Sequence, residues 1–170
     1  MGKKIFYLVV LIIVILLGIC FGKIRVLVVE EATTNKIIYQ QRIESEVNFA
    51  IKYTHSVENT PVWDYFKISG EEILLTSTRY KSYGAGLPFL NKNKYTVANE
   101  QFLIEDINIK LDQIPLRVSN YAKHKLLIEE DIYKLYQLTS NQNLLLFKVE
   151  KKSRYQFILW EVRQWLSKKS

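Results

Sequence analysis

Hydrophobic and polar positions follow three different spacings along this chain of 170 residues. Residues 5–21, IFYLVVLIIVILLGICF, form an apolar run broken only by Gly18 and preceded by Lys3 and Lys4. As a helix this run is roughly 25 Å long at about 1.5 Å per residue, near the lower limit of about 17 residues for a bilayer span. Beyond it the spacing drops to two. Val47, Phe49, Ile51 and Tyr53 alternate with Asn48, Ala50, Lys52 and Thr54, the signature of a half-buried strand, and His55 and Val57 extend the same face.

Other segments read the same way. Residues 26–32 and 37–43 are strands on either side of a turn at 33–36, a first hairpin. Residues 62–68 and 73–80 flank a glycine-containing turn at 69–72. Residues 102–111 alternate again, 91–94 are polar, and 114–118, 125–128, 132–138 and 144–149 are shorter candidates. Eight or nine short strands predict an all-β, antiparallel sandwich or partly open barrel. The third spacing is helical: Tyr155, Ile158, Leu159, Val162, Trp165 and Leu166 follow Ser153 and Gln156, a possible capping box. A short amphipathic C-terminal helix from about residue 154 is expected. Covering a sheet edge or face is its first expected role. Arg154, Arg163, Lys168 and Lys169 beside Trp160 and Trp165 also suit a membrane-surface helix.

The N-terminal run reads as an uncleaved signal anchor over residues 1–22. A cleaved signal peptide needs a shorter apolar core and small residues at its cleavage site, and LLGIC at 16–20 offers none. The flanking lysines favour an inside amino terminus, so residues 23–170 are expected outside, as the extracytoplasmic domain of a single-pass protein of the cell membrane. Those residues suffice for a core without staples. Cys20 is the only cysteine, so no intrachain disulfide forms. Without Lys3 and Lys4, 22 basic residues face 17 acidic ones, a net charge of +5. The lysines are scattered, which argues for solvation or mild attraction to anionic lipid, with nucleic acid not expected as a partner.

Polar chemistry gathers in residues 53–88. A four-residue loop at 58–61 that sets Val57 opposite Val62 pairs His55 with Asp64 and Tyr53 with Phe66. The turn at 69–72 sets Ile68 opposite Ile73, Phe66 opposite Leu75 and Asp64 opposite Ser77. Opposed side chains lie about 4.5–5.5 Å apart at Cβ, so His55, Asp64 and Ser77 form a row, with Arg79 diagonal to Asp64. An even register shift would keep these faces and change the partners. Loops 56–61 and 81–88 emerge at one end.

A buried, charge-balanced cluster is the first reading of the row. A ligand site follows, with Arg79, Lys81 and the amides around Gly84, Ala85 and Gly86 receiving an anion. A metal site from His55, Glu58 and Asp64 has suitable ligand types at unspecific spacing. A Ser-His-Asp triad is disfavoured, because Asp64 and not the histidine stands in the middle, although Ser82 could approach His55 from its loop. No phosphate-binding loop, HExxH, CxxC or GxSxG occurs, so neither enzymatic activity nor a cofactor is expected. His124 reads as an exposed turn or strand-end residue, and Tyr53, Tyr65, Phe66 and Tyr80 as core or cross-strand packing.

At His55, Ser56, Val57 and Glu58, and again at Ser82, Tyr83, Gly84, Ala85, Gly86, Leu87 and Pro88, the chain resembles the domain of unknown function family numbered 1850. Two separated motifs in the right order carry the resemblance. It implies no activity. Members are often encoded beside TRAP transporters of the TAXI type, which implies a transporter-associated accessory protein whose partner is a transporter subunit or solute-binding protein. The expected function is protein–protein contact through the end that carries His55, Ser56, Glu58, Asp64, Ser77, Arg79, Ser82, Gly84 and Gly86. The alternative is a small-anion or metal-binding domain using the same end.

Overall fold

The computed structural model describes residues 2–81, 94–98, 101–167 and 169. In chain order its elements are α1 (Gly2–Phe21), β1 (Lys23–Glu31), β2 (Ile37–Ile43), β3 (Val47–Thr54), β4 (Pro61–Ser69), β5 (Glu72–Tyr80), β6 (Lys94–Ala98), β7 (Gln101–Glu105), β8 (Ile109–Leu111), β9 (Gln113–Arg117), β10 (Lys125–Ile128), β11 (Asp131–Lys134), α2 (Leu135–Leu138), β12 (Leu144–Ser153) and α3 (Arg154–Ser167). The protein is thus mostly β. Among the described residues twelve strands, where eight or nine were expected, form two antiparallel sheets that do not close into a barrel. The smaller sheet runs β2–β1–β12–β9 and the larger β11–β10–β3–β4–β5–β7–β6, with β8 also on β5.

Leu27–Val149 is one compact unit. Leu27 and Val29 of β1, Tyr39 and Ile43 of β2, and Leu145 and Phe147 of β12 share a core with Phe49 and Ile51 of β3, Phe66 and Ile68 of β4, and Leu126 and Ile128 of β10. Phe49 links the layers. Its ring stacks on Phe66 beside it at 5.0 Å and on Phe147 of the other sheet at 6.2 Å. Alternation explains these choices, since every second side chain of a strand shares a face.

Three departures from the expected strands have local causes. Segment 102–111 divides into β7 and β8 because Asp106 and Asn108 take φ of 57° and 50°, a left-handed conformation that Asp and Asn tolerate. Residues 94–98, the first of them within the stretch read as polar, pair with β7 as β6. In segment 132–138 only the first part is a strand. Its apolar spacing then turns helical, and Leu135 is fully buried at the start of α2.

The second unit comprises Met1–Val26 and Glu150–Ser170. At the start of α3 the capping box is in place: the Ser153 amide donates to Gln156 Oε1 at 3.1 Å, and the Gln156 amide donates to Ser153 Oγ at 3.3 Å. The Arg154 amide donates to the Gly22 carbonyl at 3.0 Å, and the Phe21 and Tyr155 rings lie 6.5 Å apart. The end of α1 and the start of α3 therefore lie beside one another. Among the described residues no helix is long and apolar enough to cross a membrane, so a bilayer span for α1 rests on its sequence.

Candidate functional site

The β3–β4 hairpin keeps the expected faces but pairs different residues. Tyr53 lies opposite Val62, Ile51 opposite Asp64 and Phe49 opposite Phe66. The last pair is Thr54 with Pro61, so His55 leaves the strand and does not face Asp64. The loop is longer than four residues because it closes on itself. The His55 amide donates to the Thr60 carbonyl at 2.9 Å, the Asn59 amide donates to the His55 carbonyl at 3.1 Å, and Asn59 takes φ of 52°. Nδ1 of His55 accepts from the Val57 and Glu58 amides, both at 3.4 Å. Val57, expected on the apolar face, is 73% exposed.

A second loop, 119–124, braces the first. Ser119 Oγ accepts the amides of Tyr121 and Ala122, and Lys123, at φ 51°, donates its amide to the Ser119 carbonyl at 2.9 Å. From this loop the Ala122 carbonyl accepts the Thr54 amide at 2.8 Å, while the Tyr121 hydroxyl bonds the Asn59 side chain and lies 3.3 Å from the Ser56 carbonyl. His124 is buried, which corrects its reading as an exposed residue. Its ring stacks on Tyr53 at 5.5 Å and its Nδ1 accepts the Ser119 amide at 3.2 Å. Burial holds its pKa below the ordinary value. Both histidines of the chain thus act as loop caps through Nδ1.

The expected row dissolves at a β-bulge in the β4–β5 pairing. Ile68 opposite Ile73 and Phe66 opposite Leu75 are as predicted, but the register then shifts by one residue. Ser77 falls opposite Tyr65 and Arg79 opposite Trp63, while Thr78 takes the place beside Asp64. A one-residue slip moves side chains to the opposite face. The bulge is held on both sides: Thr76 Oγ1 donates to the Tyr65 carbonyl at 3.0 Å, and the Ile107 amide, in the break between β7 and β8, donates to the Thr76 carbonyl at 3.0 Å.

Asp64 consequently sits with Thr78 and Tyr53 rather than with His55, Ser77 and Arg79. Thr78 Oγ1 donates to Asp64 Oδ1 at 2.9 Å, and the Tyr53 hydroxyl also bonds the carboxylate. Burial raises the Asp64 pKa, opposed by these two hydrogen bonds, and burial followed by the Asp64 charge raises that of Tyr53. Nearby, Val62, Tyr80 and Ile104 form a second small core. The cluster can hold a proton, and it brings no nucleophile to a histidine.

On the opposite face Arg79 lies over the Trp63 ring at 4.2 Å and the Tyr65 ring at 5.6 Å, and Lys52 lies over Trp63 at 4.7 Å, all within cation–π range. Beside them an open groove of about 410 Å³ is lined by Asn48, Ala50, Tyr65, Ser77, Leu127 and Glu129, among others. Among the described residues no group of three His, Cys, Asp or Glu side chains is placed to hold a metal. Ser82, Gly84 and Gly86 lie outside the described residues. Tyr121, Asn59 and Thr78 went unnoticed in the sequence. The Ser–Asn–Tyr stretch at 119–121 and the Asn–Thr–Pro stretch at 59–61 are turn signals for the first two, whereas nothing local marks Thr78.

Residues 49–135 match the family described as Domain of unknown function (DUF1850). The chain belongs to this family. The match covers half of the chain, from Phe49 in β3 to Leu135 in α2. It therefore contains both loops, the Asp64 cluster and the bulge, and leaves α1 and α3 outside. No curated protein and no solved structure matches the chain.

Proposed function

We propose that this protein is a membrane-anchored, extracytoplasmic accessory domain of a solute transporter, which docks a protein partner through the joined loops 55–60 and 119–124. The observation that carries this reading is the pairing of exposure with fixed backbone. Val57 is 73% and Tyr121 55% exposed, yet both stand on backbone held by His55, Ser119 and the Tyr121–Asn59 bond. Exposed apolar and aromatic groups on an ordered scaffold lose little conformational freedom on association. The partner, a subunit of a TRAP transporter or its solute-binding protein, is the one that the family resemblance implies.

The anchor reading is supported by α1. Ile5, Phe6, Tyr7, Leu8 and the six residues that follow, through Val14, are all large apolar side chains exposed by 41% or more, and no charge occurs between Ile5 and Phe21. A helix apolar on every side finds its stable environment in lipid. The alternative anionic-ligand or metal reading would need His55, Asp64 and Arg79 to be reached from different faces of one sheet.

Co-purification from detergent-solubilised membranes tests the proposal. Wild-type chain is expected to retain the transporter's membrane subunit or solute-binding protein, and Val57→Asp to reduce that recovery at least tenfold with an unchanged melting temperature. Equal recovery with both chains would contradict docking through this end.

A further inference from the structure

We propose that α3 lies along the surface of an anionic bilayer, at the point where α1 leaves it; this rests on the anchor reading above. The sequence of α3 contains two apolar faces, and the fold uses one of them. Phe157, Trp160 and Gln164, which share one side, are half-buried. Tyr155, Ile158, Leu159, Val162, Trp165 and Leu166 share the other, at helical spacing, and are each 37–55% exposed. No residue of α3 is buried. Apart from Tyr155, whose ring meets Phe21, the exposed stripe is therefore not the surface by which the helix packs.

Position supplies the occupant. The Arg154 amide bonds the Gly22 carbonyl and Tyr155 meets Phe21, so the first turn of α3 stands at the last turn of α1. If α1 crosses the bilayer, α3 starts in the headgroup layer. Charge agrees: from residue 154 onward Arg154, Arg163, Lys168 and Lys169 face a single acid, Glu161. Lys169 lies over the Trp165 ring at 3.7 Å, a tryptophan and a cation of the kind that settle at the membrane interface. A helix with one apolar stripe and basic flanks binds by burying the stripe at the acyl boundary while its cations meet anionic headgroups.

The test uses the full chain reconstituted into vesicles of phosphatidylcholine with phosphatidylglycerol, or of phosphatidylcholine alone. The vesicles carry a photoactivatable label in the lipid phase, and labelled peptides are mapped by mass spectrometry. The expected result is labelling of α1 in both vesicles and of the α3 stripe in the anionic ones. Labelling of α3 should fall at least threefold without phosphatidylglycerol, and Leu159→Glu with Trp165→Glu should abolish it while α1 labelling persists. Labelled α1 with unlabelled α3 overturns the placement of α3 and leaves the anchor standing, as does a crosslink showing the stripe covered by a second copy. Unlabelled α1 with labelled α3 overturns the anchor, and with it the placement of α3 beside the exit of α1, leaving only the contact of the stripe with lipid; absence of label from both overturns both readings entirely. Persistent α3 labelling in the double variant overturns contact through the stripe.

Discussion

Asp64 carries a charge that its surroundings resist. Its folded pKa is raised above the unfolded value by burial, so the folded state holds the proton more tightly. The stability cost is then present at neutral pH and relieved as pH falls through the folded pKa. Asp64→Asn retains an acceptor for Thr78 and a donor for Tyr53, so the melting temperature at pH 7 should hold or rise. His124 has the opposite sign. Burial lowers its folded pKa from 6.5, so the unfolded chain takes up the proton first. Its contribution is present above about 6.5 and is lost on acidification towards the lower folded value. Thermal unfolding of wild type, Asp64→Asn and His124→Phe from pH 5 to 8 should show the acid-side loss of stability flatten only in the histidine variant. An identical loss in all three would assign it to other groups.

The bulge at Thr76 is the element that reassigns this end of the sheet. It turns Arg79 away from Asp64 and onto Trp63, and it aligns with the break between β7 and β8 through the Ile107–Thr76 bond. Thr76→Val removes one side-chain hydrogen bond and should cost about 0.5–1.5 kcal/mol in urea unfolding. Deleting Thr76 would remove the extra residue and leave a regular ladder in which Asp64 still faces Thr78 and Trp63 still faces Arg79, so the deletion variant should fold and lose only the hydrogen bonds that hold the bulge. A deletion variant that fails to fold would show that the bulge itself, and not only the pairing it sets, is required. Period-two spacing and the turn at Gly70, which takes φ of 67°, made the faces of β3 and β4 and the first half of the β4–β5 pairing legible. The capping box of α3 was legible for the same reason: each signal is local. The bulge has no glycine or proline to announce it. The length of loop 55–60 follows from His55 and Asn59 hydrogen bonds that spacing does not encode, so the expected polar row has the right faces for β3 and β4 but the wrong partners, and the wrong face for Ser77 and Arg79.

At the scale of the whole molecule, one core between two sheets sustains the domain without a disulfide, and the family segment coincides with the part of it that builds the paired loops. The helices outside that segment, α1 and α3, expose long apolar stretches, and under the proposed function the chain divides into a part that recognises and a part that is held at a membrane. Site-specific photocrosslinking in native membranes tests this division most directly, with the crosslinker at position 57 and a control at Glu129, on the groove wall of the large sheet. The account predicts crosslinks from position 57 to a TRAP transporter subunit or its solute-binding protein, and none from position 129. Crosslinks to that partner from position 129 and none from position 57 would contradict it.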